Sequence, residues 1–263
     1  MANKSILAIA FDCYGTLVDF ADDGFVSAYD EVCRLQGLLC NGRDLWDEWM
    51  EVWRRMAQEG SARESPPFGL PELRGMDRVR PVDGPAPSFR PYREEWPQHF
   101  AKAFGALGVR GDGEAAYRHV QARLAEASAY PETPHVLAAL RPRFRLAVLS
   151  NADDDFLLPC LAGNGLEFEV VVSSERARAY KPHRAIFQVV ADALALNLQE
   201  ILYVGDSRYS DVLGAKNAGM PMAWLNRPGA ELLEGVPRPD REIQSLADLL
   251  PFLGVDPLQA AGA

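Results

Sequence analysis

Residues Ile6–Phe11 read Ile-Leu-Ala-Ile-Ala-Phe and run directly into Asp12-Cys13-Tyr14-Gly15. An unbroken apolar run of this length has no polar face to offer solvent. It is expected as a strand buried on both faces of a parallel sheet, with the acid and the glycine marking a turn at its end. Similar runs recur at Arg145–Leu149, Phe168–Val172, Ile201–Val204 and Met222–Leu225, with helical patterns between the later ones. Pro182 suits a first helical turn, Ile186, Val190 and Ala193/Leu194 follow at helical spacing, and Asn197 is the expected stop. A further helix is expected from Ser210 to Ala218, ended by Gly219. Alternation of this kind implies an α/β fold: a Rossmann-like core with a parallel sheet and helices on both faces.

The stretch 20–129 carries no convincing strand. Helical patterning falls around 25–36, 44–58, 93–107 and 114–129, and the block from Gly60 to Pro97 holds eight of the nineteen prolines, so it reads as a long ordered loop. The chain therefore looks like one core, 1–19 and 130–263, interrupted by an inserted α-helical module, 20–129. Hinges are expected near Val18–Ala21 and Tyr130–Pro134, where the chain crosses twice. Trp46, Trp49 and Trp53 sit at helical spacing and are read as packing residues of that module.

Composition narrows the function. A net charge of −10 and a sequence pI near 5.0 argue against nucleic acid or an anionic membrane as partner, but leave room for a local basic pocket that takes a small anion. Cys13, Cys33, Cys40 and Cys160 show no CxxC spacing and are expected as reduced thiols of a cytoplasmic protein. His99, His119, His135 and His183 show no zinc-binding pairing. No apolar run approaches a membrane span, and the N-terminal one ends in an acid, as a strand does and a signal peptide does not. The oligomeric state is not legible.

Chemistry-bearing residues gather just after expected strands, where open parallel sheets bind ligands. The groups are Asp12–Asp19, Ser150-Asn151, Lys181-Pro182, and Gly205-Asp206-Ser207-Arg208-Tyr209-Ser210-Asp211. In this order they resemble the haloacid dehalogenase-like (HAD) hydrolase superfamily, subfamily I, whose helical cap is inserted after the first motif. The resemblance covers roughly 4–19 and 130–230. It implies that Asp12 attacks an electrophile to form an aspartyl intermediate. Thr16, Ser150 and Asn151 donate hydrogen bonds to the transferring group. Lys181 neutralises Asp12 and the bound anion together. Asp206 and Asp211 offer the oxygen ligands Mg²⁺ prefers. The expected metal set is Asp12, Asp206 and the main-chain carbonyl of Tyr14.

The family pattern is broken in an informative way. Phosphatases of this superfamily carry an acid two residues after the nucleophile, and here that residue is Tyr14, as in L-2-haloacid dehalogenases, whose halide leaving group needs no proton. Gly-Asp-Ser-x-x-x-Asp in the fourth motif instead resembles metal-dependent phosphatases. The dehalogenases also use a cap arginine, and none of Arg34, Arg43, Arg54 or Arg55 matches its pattern. The frequent glycine after Ser-Asn is Ala152 here. The leading expectation is a Mg²⁺-dependent hydrolase of a small phosphorylated metabolite. The alternatives are a metal-independent hydrolase of a short 2-haloacid, with Asp211 activating water, and a binding protein that has lost turnover. Asp153, Asp154 and Asp155 are read as helix-start charges. Cys13 is read as core, pointing away from Asp12.

Overall fold

β1 (Ala8–Phe11) lies inside a six-stranded parallel sheet of order β3-β2-β1-β4-β5-β6. The other strands are β2 (Arg145–Ser150), β3 (Val170–Ser173), β4 (Ile201–Gly205), β5 (Met222–Leu225) and β6 (Arg241–Ile243). The structure is a computed structural model, and it describes residues 6–58 and 88–256. Side chains alternate between two apolar layers. Ile9, Phe11, Leu146, Val148, Leu202 and Val204 share one, while Ala8, Ala10, Ala147, Leu149, Ile201 and Tyr203 belong to the other. Both faces of the central strands are thus covered, which is why their sequences carry no polar alternation. Phe11 stands in register with Val148 and Val204, so the residues after all three strands emerge at one edge of the sheet.

Four details depart from the sequence reading. β6 was not expected: only Ile243 of its three residues is buried, too little to form a pattern. The helix after Lys181 begins later than Pro182 suggests. The Lys181–Pro182 bond is cis, and α8 (Arg184–Leu194) starts after His183, whose Nδ1 accepts the amide of Ala185 at 3.2 Å. Helix α8 ends at Ala195 (φ 52°), while Asn197 caps a short 3₁₀ turn instead. The expected helix from Ser210 is in fact a π-helical turn, Arg208–Leu213, continuing into α9 (Gly214–Ala218).

Between β1 and β2 run α1 (Asp22–Leu35), α2 (Gly42–Gln58), α3 (Tyr92–Ala106), α4 (Gly113–Ala125) and α5 (Thr133–Leu140). The proline-rich block falls mostly on residues 59–87, outside the described residues, and its end is helical: Pro97 lies within α3. Trp46 and Trp49 stack at 6.1 Å, Phe25 stacks on Trp46 at 5.0 Å, and Trp96 meets Trp49 edge-on at 5.4 Å. All four are buried, so the tryptophans do pack the helical module. Helix α4 lies on α6 (Asp154–Gly163) of the core.

The outgoing and returning chains touch. Val18 and Ala129 form an antiparallel bridge, Asp19 N donates to Ser128 O (2.8 Å), and Tyr130 N donates to Leu17 O (3.0 Å). A separate tie forms where α3 begins. The amide of Arg93 donates to Asp153 Oδ2 (3.0 Å) and its guanidinium to Glu175 (2.5 Å), while Tyr180 OH donates to Arg90 O (2.6 Å). Among the described residues no helix is long and apolar enough to cross a membrane.

Candidate active site

Asp12 follows β1 directly, and its amide continues the ladder by donating to Val204 O (2.8 Å). Its side chain is 5% exposed. Oδ1 accepts both Ser150 Oγ and Lys181 Nζ, each at 2.8 Å. After Asp12 the chain turns tightly: Cys13 O accepts the amides of Leu17 (2.7 Å) and Val18 (3.0 Å). Gly15 sits at φ 81°, and a Cβ there would stand 2.6 Å from Asp206 Oδ2. The glycine therefore serves both the backbone conformation and the close approach of a carboxylate.

Lys181 is 2% exposed and reaches three partners: Asp12 Oδ1, Asp211 Oδ1 at 2.7 Å and Tyr203 OH at 2.9 Å. Asn151 holds its main chain on both sides. Lys181 N donates to Asn151 Oδ1 (2.8 Å), and Asn151 Nδ2 donates to Lys181 O (3.1 Å). Asp211 is fully buried, takes the amide of Ser207 on Oδ2 (2.9 Å), and lies against Gly205, where a Cβ would stand 2.4 Å from its Cγ. Thr16 Oγ1 donates to Asp206 Oδ1 (3.0 Å), and Trp224 Nε1 holds the main chain of Asp206 through its carbonyl (2.8 Å).

All the expected residues except the Tyr14 side chain meet at this edge, but several hydroxyls and amides are spent on neighbours. Ser150 donates to Asp12, Thr16 to Asp206, and Asn151 clamps the lysine, whereas the sequence reading aimed all three at the transferring group. The Tyr14 side chain turns toward the helical module. Its OH faces Leu124 O (3.4 Å) and its ring packs against Phe20 and Phe156. Burial holds the phenol well above its ordinary range, so Tyr14 offers no usable acid and only its carbonyl could meet a metal. The acidic group is instead Asp12, Asp206 and Asp211, with one oxygen of each within 4.8 Å of the others.

Electrostatics follow from this crowding. Burial raises Asp12, with Lys181 pulling against it and Asp211 adding to it. Burial, Asp211 and Asp12 push Asp206 well above the carboxylate range, against Thr16 and Lys181. Burial draws Lys181 down, but Asp12 and Asp211 more than offset it, so the ammonium is held charged. Among the described residues, three carboxylates thus gather around one buried ammonium. A cleft of about 670 Å³ opens beside Asp206, lined by Gly15, Asp19, Tyr130, Arg208 and Arg227 among others.

The remaining expectations divide. Cys13 is buried in the core layer, as expected. Asp153 does stand at the start of α6, but its carboxylate serves Arg93, and burial pushes it up to about 6. No arginine named from the sequence reaches Asp12: Arg54 and Arg55 pair with Glu51 and Glu48 on their own helix, Arg43 faces Asp23, and Arg34 is exposed. The sequence reading missed Tyr203. The available signal was a tyrosine inside a doubly buried strand, whose hydroxyl must find a partner.

A family profile described as haloacid dehalogenase-like hydrolase matches residues 6–219. The chain is 28% identical over 255 residues to haloacetate dehalogenase H-2 of Moraxella sp. (strain B), covering 96% of this chain and 100% of that one. It is 27% identical over 264 residues to the phosphoglycolate phosphatase of Yersinia pestis, covering 97% of each. Its fold is similar to the magnesium-bound crystal structure of YfnB from Bacillus subtilis, with a TM-score of 0.73, 19% identity, and coverage of 96% of this chain and 100% of that one.

Proposed function

Since the chain belongs to the haloacid dehalogenase-like hydrolases, we propose that it is a Mg²⁺-dependent phosphatase-type enzyme acting on a small, anionic, phosphorylated compound through Asp12. The carrying observation is the charge balance: one oxygen of each of three carboxylates lies within 4.8 Å of the others, and among the described residues the one cation ion-paired to the group is Lys181, on Asp12 and Asp211. Like charges this close cost several kcal/mol unless a cation or a proton intervenes. Oxygen donors of this kind suit a hard divalent cation. Asp12, Asp206 and the carbonyl of Tyr14 would hold it, while Asp211 is committed to Lys181. Bound Mg²⁺ would supply positive charge to the carboxylates and to the transferring phosphoryl group.

Ser150 and Lys181 both bind Oδ1 of Asp12, which favours Oδ2 as the attacking atom. Oδ2 bonds to phosphorus, the ester P–O bond breaks, and the leaving alcoholate departs. Water then cleaves the aspartyl phosphate and releases phosphate. With the Tyr14 phenol sealed away, nothing in its place protonates the leaving group, so acidic alcohols leave best. The helical module 20–129 acts as a cap that excludes water, hinged near Val18–Ala21 and Tyr130–Pro134. A cytoplasmic setting fits the free cysteines.

One observation favours a second reading. The buried Tyr14 suits a C–X hydrolase, in which Asp12 displaces halide from C2 of a short acid and water then opens the ester. Asp211 would not activate that water, since Lys181, Tyr203 and Ser207 already occupy its oxygens. The deciding experiment offers p-nitrophenyl phosphate with Mg²⁺ and 2-chloropropionate with EDTA. The phosphatase reading requires phosphate release that disappears with EDTA and in Asp206→Ala. Chloride release undiminished by EDTA replaces it with the second reading.

A further inference from the structure

Lys181 lies on an irregular segment between α7 (Ser174–Ala177) and α8, and its four-carbon stem has many rotamers open to it. Asn151 fixes the main chain of this lysine but cannot fix its tip. The ammonium has three N–H donors, and the carboxylates account for two. In a site this dry, an unmet third donor is costly. The third partner is Tyr203 OH at 2.9 Å, presented by the rigid interior of β4, where the residue is wholly buried. The phenol's single proton faces Asp211 Oδ1 and Leu149 O, both at 3.0 Å.

We propose that Tyr203 is a positioning residue: its hydroxyl triangulates Lys181 Nζ against Asp12 and Asp211, and so sets the charge that orients the attacking carboxylate. The role rests on the reading of Asp12 as nucleophile. The three anchors come from different segments: the residue after β1 for Asp12, the middle of β4 for Tyr203 and the π-helical turn for Asp211. Two carboxylates alone leave Nζ free to swing about the line that joins them; a third, neutral partner off that line removes this freedom. Burial, with Asp211 and Asp12 beside it, keeps the phenol far above its ordinary range, so it stays neutral and can accept and donate at once. The ring is held independently by Phe187, edge-on at 5.3 Å.

The test compares Tyr203→Phe with Phe187→Leu, which loosens the ring but keeps the hydroxyl, by crystal structure and by kinetics on p-nitrophenyl phosphate with Mg²⁺. Tyr203→Phe is expected to lose at least about tenfold in kcat with KM within about twofold of wild type. Its Nζ should stand more than about 3.5 Å from Asp12 Oδ1, beyond hydrogen-bond range. Phe187→Leu should retain both kcat and the Nζ position. An unmoved Nζ, an unchanged kcat, or an equal loss in Phe187→Leu overturns the proposal. If the wild-type enzyme cleaves no phosphate ester, the phosphatase reading fails separately, and the position of Nζ in the two variants still decides the role of Tyr203.

Discussion

The edge of the sheet around Asp12 and the interior of the helical module both bury most of their side chains, yet opposite means hold them together. At Asp12 the buried groups are two acids, a lysine and a tyrosine, with the half-buried Asp206 beside them, each placed by named partners. In the helical module they are the rings of Phe25, Trp46, Trp49, Trp96 and Phe100, placed by shape. Removing a partner from the first leaves a charge or donor stranded; removing a ring from the second leaves a void. Changes at the edge should therefore register mainly in turnover, and changes in the module mainly in stability.

The sharpest way to break this contrast is Asp12→Asn. Turnover should fall by at least about 10⁴-fold, because the attacking atom is gone. The thermal midpoint should hold or rise, since one of three crowded acids is removed. A variant that unfolds instead would place Asp12 in the scaffold. Next, Trp49→Ala should cost about 3–5 kcal/mol in urea unfolding, while kcat per folded molecule stays near wild type. A kcat loss matching that of Asp12→Asn would join the two regions into one.

Asp153 sits on the border between them. Its carboxyl ionises at about 6 in the folded chain against 3.8 ordinarily. The folded state thus holds the proton more tightly, and the favourable contribution, full below pH 4, is lost as pH rises toward 6. That rise corresponds to roughly 3 kcal/mol. Asp153→Asn keeps an acceptor for the Arg93 amide and should flatten the fall in stability between pH 4 and 7, measured by urea unfolding at both. Equal slopes in the two proteins would remove the group from the account. The smallest effect is expected from Gly205→Ala, whose Cβ meets Asp211. Overpacking should cost about 1–3 kcal/mol, with a loss of turnover larger than that of a packing variant equally destabilised.

The two regions also differed in how far their sequences could be read. Asp12 and Asp206 stood out because each follows an apolar run whose end the sheet must place at one edge, and Lys181 because it stands third in the family's order of motifs. The joint use of Asn151, Thr16 and Ser150 on neighbouring residues did not, since hydroxyls and amides choose partners only once strands from distant stretches are aligned. Tyr203 was hidden by its own strand. The helix expected from Ser210 became a π-helical turn, which spacing alone does not distinguish from an α-turn. In the helical module, periodicity located the helices but not their mutual arrangement, because ring-to-ring packing depends on pairs such as Trp49 and Trp96 far apart in the chain. β6 was missed because three residues with one buried side chain carry no period.

The bridge between Val18 and Ala129 has a consequence for engineering. Neighbours in an antiparallel pair lie about 5 Å apart, so the outgoing and returning chains form a socket whose two ends are already joined. A graft needs matching ends at Val18 and Ala129 and a new cover for the face of α6 that α4 now occupies, and with both supplied, lids of other shapes could be compared on one chassis.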